Sequence, residues 1–302
     1  MNFSAIIPTL NRPDDLIMSV TSVLKQTDLP HELIIIDQSK NDNSYKLVTK
    51  LYKKFKRKPI LNYCHDFNIK GLIEAKKKGI ELSSGDIICF LEDDVILDTN
   101  YFTNSITTFK KNDHILGCCG ITSNINYNYL YGILFKLFHS GIFYDPRVEA
   151  LKYKDCKGKG SLISSRYLSG GISCYRKKVF DKIHFDIVND FFMLEDIEFS
   201  SRAVDFFGKN RFFINTNMCL VHNMSAINRK TLAKRWQRKL REYIMFYKKN
   251  SRKPFSLIAL TWLLIGLIGE SVISSVSMKN IGPVQGTIVG IYLGIKTKII
   301  IN

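Results

Sequence analysis

The sequence predicts an α/β fold, a parallel sheet flanked by helices, followed by a basic and apolar helical tail. Three observations predict it: short apolar runs alternate with amphipathic segments through the first hundred residues, those runs close on acids or turn residues, and beyond Pro254 the composition shifts to long stretches almost without charge. With 302 residues, 45% of them hydrophobic and 24% charged, the chain has a globular composition that excludes disorder and collagen-like repeats. The length suits one large domain with a smaller C-terminal attachment, and the expected division is 1–223 and 224–302.

Phe3 to Pro8 (FSAIIP) reads as the first strand, closed by a Pro-Thr-Leu-Asn turn. Pro13, Asp14 and Asp15 then supply a helix start, with proline in the first turn and acids near the positive dipole end. Leu16, Val20, Val23 and Leu24 share one face of that helix. Glu32 to Asp37 (ELIIID) is an apolar strand ending in an acid, Ile60 to Cys64 another strand, and Gly71 to Leu82 a helix with lysines on its outer face. Asp86 to Leu91 (DIICFL) is a further buried strand that runs directly into Glu92, Asp93 and Asp94. Strands without polar alternation, separated by helices, belong to a parallel sheet covered on both faces. Ligands of such sheets bind beyond the carboxyl ends of the strands, which is where Asp37 and the acidic trio fall.

Further on, Tyr129 to Tyr144 holds six aromatics in sixteen residues, and Lys152 to Gly160 (KYKDCKGKG) reads as a mobile loop. Phe191 to Arg202 (FFMLEDIEFSSR) reads as a helix with Glu195 and Asp196 close to its start, and Met218 to Val221 as an apolar run ending at His222. Seven cysteines without a C-x-x-C pair indicate neither a zinc ribbon nor a disulfide framework, and read as reduced thiols. MNFSAIIPTLNR has no basic start followed by an apolar run, so no signal peptide is expected.

The net charge of +17 sits in two places. Residues 46–58 carry seven Lys/Arg and no acid, and residues 228–253 carry eleven with one acid, Glu242; together these patches account for the whole excess. Localised basic surfaces imply an anionic partner, either nucleic acid or an acidic membrane.

Three adjacent carboxylates at a strand end repel one another, and a divalent cation resolves the repulsion. Oxygen ligands suit Mg2+ or Mn2+, which leave positions open for water and substrate phosphates. A solvated acidic turn is the bland alternative; the strand context, Asp37 and the later acids favour the cation. An Asp near a helix start is a weak base unless an apolar wall, here Phe191, Phe192 and Met193, raises its pKa. On spacing alone Glu195 and Asp196 are equally first-turn acids, with Glu198 and Arg202 an ordinary i,i+4 pair. His222 by itself reads as a structural histidine unless a metal lies near.

IIPTLNR, IIIDQS, the Gly71 to Ala75 segment before SSGDIICFLEDD, then LEDIEFSSR, VHNMS and REYIMFYKKN follow one another in the order found in family 2 glycosyltransferases. Over most of residues 1–250 the chain resembles a bacterial member of that family with the GT-A fold, a Rossmann-like, mixed and mostly parallel sheet. The resemblance implies that Thr9, Asn11, Arg12 and Asp37 hold the nucleoside of a nucleotide-sugar, with Lys70 beside it. It implies that Glu92, Asp93 and Asp94 form the D-x-D element, Glu92 standing in place of the usual first Asp and Asp94 binding the metal. Asp196, preceded by Glu195, corresponds to the catalytic base, His222 to the late histidine of the metal shell, and Gly170, Gly171 and Arg176 to the region that approaches the acceptor. The Q-x-x-R-W element of processive members is missing, since Trp236-Gln237-Arg238 has the letters in another order. The implied reaction is a single, inverting displacement on the anomeric carbon.

Leu232, Trp236, Leu240, Ile244 and Tyr247 form an apolar ladder along the second basic segment, as in a helix lying on anionic lipid with Trp236 at the interface. Residues 255–278 hold a single charge, Glu270, and 281–295 hold none. These stretches favour lipid over nucleic acid, which is not expected as a partner. Peripheral or re-entrant association with the cytoplasmic face of the membrane is the first expectation and a single span the second. A lipid-linked envelope glycan is then the expected acceptor. Two other classes fit the same residues: a metal-dependent nucleotidyltransferase, which releases pyrophosphate instead of a nucleoside diphosphate, and a basic binding module with an inactive site.

Overall fold

β1 (Phe3–Thr9) and β2 (Glu32–Asp37) are buried at every position, which is why neither shows polar alternation. Successive side chains of β1 enter two different cores. Ala5 and Ile7 meet Leu16 and Val20 of α1 (Pro13–Leu24), whereas Ile6 joins Ala75 of α3 (Leu72–Leu82) on the other face. α2 (Asn43–Tyr52) adds Val48 and Tyr52 to the first core, so both sides of the sheet are sealed by helices.

In this computed structural model the described residues are 1–124, 133–135, 137–138, 160–189, 191–224, 231–249 and 256–300. Most of the aromatic segment 129–144, and the loop 152–160 except Gly160, lie outside them. The chain forms two compact units, one of residues 1–125, 152–185 and 199–227, the other of residues 126–151, 186–198 and 228–302.

The first unit is built on a nine-stranded sheet. Its remaining strands are β3 (Ile60–His65), β4 (Ile87–Phe90), β5 (Val95–Leu97), β6 (Gly117–Thr122), β7 (Leu162–Ser164), β8 (Ser173–Arg176) and β9 (Phe212–His222), with α4 (Tyr101–Lys111) between β5 and β6. The order is β3-β2-β1-β4-β8-β6-β9-β5, and β7 pairs with β9. β3, β2, β1 and β4 run parallel, with Thr9 opposite Asp37 and Ile6 opposite Phe90, so their carboxyl ends line one edge. The sheet is mixed: β8 lies antiparallel between β4 and β6, and β5 runs antiparallel to β9, although the parallel ladders carry most of the paired residues. The strand expected to reach Leu91 ends at Phe90, and β5 starts at Val95 in the reverse direction. The acidic trio is the turn between them. The six described cysteines are free thiols.

α5 (Glu195–Phe207) starts four residues later than its sequence pattern suggests. In the second unit the preceding amides of Phe192, Met193 and Leu194 converge on one carboxylate oxygen of Glu242. The same unit holds α6 (Leu232–Lys249), α7 (Ser256–Ser277) and α8 (Gly282–Lys296). Three rungs of the apolar ladder of α6 face protein. Trp236, Leu240 and Ile244 are buried, and they pack on Gly286, Gly290 and Gly294 of α8. A Cβ on Gly290 would come within 2.5 Å of the Gln237 carbonyl oxygen, so the two helices approach through glycine. Much of the basic charge of α6 is also spent internally. Lys239 pairs with Glu270, the lone charge of α7, at 2.8 Å, and Lys248 donates to the carbonyls of Gly294 and Thr297 at 2.9 Å, where α8 ends. Leu257–Ser277 is long and apolar enough to cross a membrane, and Leu257, Ile265, Val272, Ile273 and Val276 lie exposed on it.

Candidate metal and nucleotide site

The turn after β4 is held from both sides. The Leu91 amide donates to the Ile6 carbonyl and the Glu92 amide to the Gly171 carbonyl, each at 2.9 Å, while the Asn223 amide donates to the Asp94 carbonyl at 2.8 Å. Val95 lies opposite His222 in the β5–β9 ladder, so the end of β9 reaches the acids. His222 Nε2 is 3.0 Å from Glu92 Oε2 and 3.1 Å from Asp94 Oδ1. Hydrogen bonds to Asp94 and then Glu92, working against burial, push the imidazole up to about 10.

These three residues fit a divalent cation. Their donor atoms all lie within 4.8 Å of one another. The separations of 3.0 and 3.1 Å from the imidazole nitrogen match adjacent ligands on an ion with bonds of about 2.1 Å. One nitrogen and two carboxylate oxygens also suit a borderline or hard divalent ion.

Asp93 points away from that set. Its Oδ2 accepts from the Thr9 hydroxyl at 2.8 Å and its Oδ1 from Arg12 Nη1 at 2.7 Å. Burial pushes the Asp93 carboxyl up to about 6, opposed by Arg12 and Thr9 and reinforced by Asp94. Arg12 Nη2 lies 3.7 Å from Asp94, so one guanidinium touches two acids of the trio. Asn11 takes a left-handed φ of 52°, tolerable for asparagine, and its amide donates to Ser39 Oγ at 2.7 Å. That bond joins the β1 turn to the end of β2. Asp37 there is fully buried, accepting from the Ser39 amide at 2.9 Å and the Tyr63 hydroxyl at 2.7 Å. Burial, then Asp37 itself, raise the Tyr63 hydroxyl. The Gly71 amide donates to Gln38 Oε1 at 2.9 Å, which brings Lys70 to the same edge, its Nζ bonded to the Phe67 carbonyl.

The candidate acceptor residues separate. Gly171 lies directly on the acids, since a Cβ there would overlap the Glu92 carboxyl group. Gly170 is held through its carbonyl by Lys76 Nζ at 2.8 Å. Arg176 is not brought to this edge: it pairs with Ile87 at the amino end of β4 and donates to the Ile115 and Phe109 carbonyls at 2.8 and 2.9 Å. Glu195 and Asp196 belong to the second unit, in the first turn of α5, where Glu195 is buried and Asp196 Oδ1 accepts from the Ile197 amide at 2.8 Å. Glu198 of that turn pairs with Lys249 at 2.6 Å. Sequence reasoning missed Lys76, which is buried although it looks like its solvated neighbours Lys77 and Lys78. Its signal is the three-residue spacing Ile73, Lys76, Gly79 along the covered face of α3.

The Gly171 contact makes a prediction. Gly171→Ala displaces only the flexible end of Glu92, so the melting temperature should stay within a few degrees of wild type, while Mn2+ affinity measured by calorimetry should fall by about tenfold, the scale of a disturbed ligand orientation. Undiminished affinity would remove Glu92 from the cation set.

A mixed α/β sheet with an acid–histidine cluster and a buried carboxylate at the carboxyl edge of its parallel strands has the arrangement in which open α/β proteins place a ligand on that edge. The chain belongs to glycosyl transferase family 2, whose family model matches residues 4–184. An uncharacterised glycosyltransferase of Rickettsia bellii is 35% identical over 112 residues, covering 37% of this chain and only 16% of that protein. The glycosyltransferase GlyG of Streptococcus pneumoniae is 25% identical over 259 residues, 82% of this chain and 79% of its own length. Among solved structures, the mannosyltransferase PcManGT of Pyrobaculum calidifontis, in complex with GDP-Man and Mn2+, superposes with a TM-score of 0.60 at 12% identity, over 97% of this chain and 84% of that one. The shared architecture is the GT-A fold.

Proposed function

We propose that this protein is an inverting, hexosyltransferase-type glycosyltransferase that moves a sugar from a nucleotide-sugar onto a hydroxyl acceptor. The observation that carries the reading is the convergence of Glu92, Asp94 and His222 beside Asp37, Thr9 and Arg12 on one sheet edge. In this reading Asp37, Thr9, Asn11, Arg12 and Lys70 hold the nucleoside side of the donor, with Asp93 supporting Thr9 and Arg12 there and Glu92 facing the diphosphate through the cation. Asp94 and His222 hold Mn2+ or Mg2+, an ion that neutralises charge on the diphosphate when bound. Asp196 takes the proton of the acceptor hydroxyl as it attacks the anomeric carbon, and Glu195 supports its turn. Gly170 and Gly171 border the acceptor. The Mn2+-bound and nucleotide-sugar-bound state of PcManGT supports the same use of this fold here. Separate incubations, each with Mn2+, test the reading: UDP- and GDP-sugars should release a nucleoside diphosphate, water taking the sugar where no glycan is supplied, whereas pyrophosphate released from a nucleoside triphosphate and a sugar 1-phosphate would identify a nucleotidyltransferase, and no donor binding an inactive module.

The acceptor in this proposal is a lipid-linked envelope glycan reached at the cytoplasmic face of the membrane. The exposed apolar side chains of α7 support it, together with the solvent-facing Lys234 and Arg235 of α6. The full-length protein is expected to sediment with phosphatidylglycerol vesicles, and Ile273→Asp on the exposed face of α7 to cut the bound fraction severalfold. Equal sedimentation of both proteins would count against α7 as the lipid contact.

A further inference from the structure

Glu242 is the one acid in the basic segment 228–253, and it is fully buried. Its Oε2 accepts three consecutive backbone N–H groups, from Phe192 at 3.0 Å, Met193 at 2.6 Å and Leu194 at 3.0 Å. These amides lie just before α5, where a helix start normally takes its cap from a neighbouring Ser, Thr, Asp or Asn. The residues here are apolar and offer these amides no side-chain oxygen, so their acceptor comes from elsewhere in the chain. It comes from α6, and as an anion it also suits the positive end of the helix. Arg238, one turn before Glu242, sets its guanidinium 4.4 Å from the Phe192 ring centre. Two turns after Glu242, Lys249 pairs with Glu198 in the first turn of α5 and with Asp186. Asp186 in turn accepts from the Asn189 side chain at 2.7 Å, and Asn189 and Ile300 exchange two hydrogen bonds at 2.9 and 3.0 Å. Glu195 and Asp196 are therefore bracketed, amides before and carboxylate after, by groups from one helix.

We propose that Glu242 is a positioning residue for the Glu195–Asp196 turn: its carboxylate fixes the three amides that set where α5 begins and so where Asp196 stands. The catalytic consequence rests on the reading of Asp196 as the base. Glu242→Gln keeps one oxygen able to accept but removes the charge, whereas Glu242→Ala removes the acceptor altogether.

The full-length protein serves for two measurements on both variants. Amide hydrogen exchange, followed by mass spectrometry without substrate, is expected to speed up at least tenfold at 192–194 in Glu242→Ala and less in Glu242→Gln, with β1 and β4 unchanged. With the nucleotide-sugar that wild type turns over fastest, and Mn2+, nucleoside diphosphate release should show kcat reduced at least tenfold in Glu242→Ala and less in Glu242→Gln, the donor KM staying within twofold. If Glu242→Ala does not fold, Glu242→Gln alone decides on the same readouts. Unchanged exchange at 192–194, or unchanged kcat despite faster exchange, overturns the proposal, as does an equal rise in KM and fall in kcat. If exchange quickens as expected while Asp196→Asn transfers sugar normally, the base assignment has failed and the anchoring of the turn stands.

Discussion

Asp94→Ala is expected to abolish metal-dependent binding of a nucleoside diphosphate. Asp94 is buried, and its two oxygens are divided between the cation set, at 3.1 Å from His222 Nε2, and Arg12, at 3.7 Å from Nη2. Without it one carboxylate and one imidazole remain, and Glu92 is the more exposed of the two acids, with 40% of its side chain accessible against 5% for Asp94. Losing a residue that only orients a ligand lowers metal affinity by about ten- to a hundredfold, and losing the ligand itself should cost more. The UDP affinity measured with Mn2+ should therefore drop to the level measured with a chelator. Asp93→Asn is the comparison: Asp93 bonds to Thr9 and Arg12 outside the cation set, so its loss should weaken nucleotide binding while leaving Mn2+ affinity largely intact. Unchanged UDP affinity in Asp94→Ala, with and without chelator, would make the acidic turn a purely structural one.

The readable parts of this molecule are those whose local pattern admits one environment. FSAIIP and ELIIID have no polar alternation, so both faces had to be covered, and both are. The position of Asp37 and the acidic trio at one edge follows from strand direction alone. Less readable are segments whose pattern suits two partners equally. The ladder Trp236, Leu240, Ile244 has the spacing of a helix facing either lipid or protein, and only the glycines spaced four apart in α8, at 286, 290 and 294, could have said which. Arg176 ends a short strand, as active-site residues of parallel strands do, yet β8 runs antiparallel to β4 and carries it to the far edge. Glu242 is invisible for a different reason. A lone acid among eleven bases reads as a solvated spacer, and its partners are backbone amides, which leave no trace in the letters of the sequence. The start of α5 escapes the sequence for the same cause.

Asp196→Asn should leave nucleotide-sugar binding in place while transfer falls by roughly a hundredfold to ten-thousandfold, the usual contribution of general-base catalysis. Asparagine keeps the shape and can still accept the 2.8 Å bond from the Ile197 amide, so the first turn of α5 should survive the change. It cannot take a proton. Glu195→Gln should cost less, because Glu195 is buried and so suited to holding the turn and not to meeting an incoming hydroxyl. The pair separates chemistry from helix electrostatics. As mere partners of the helix dipole the two acids would each be worth under about 1 kcal/mol and would be interchangeable, giving small and similar losses. As base and support they give a large and a smaller loss at the same donor affinity. Transfer rates at saturating donor decide between these outcomes: a near-normal rate for Asp196→Asn, or equal losses in both variants, would take the base role away from Asp196 and return the pair to the bland reading as first-turn acids.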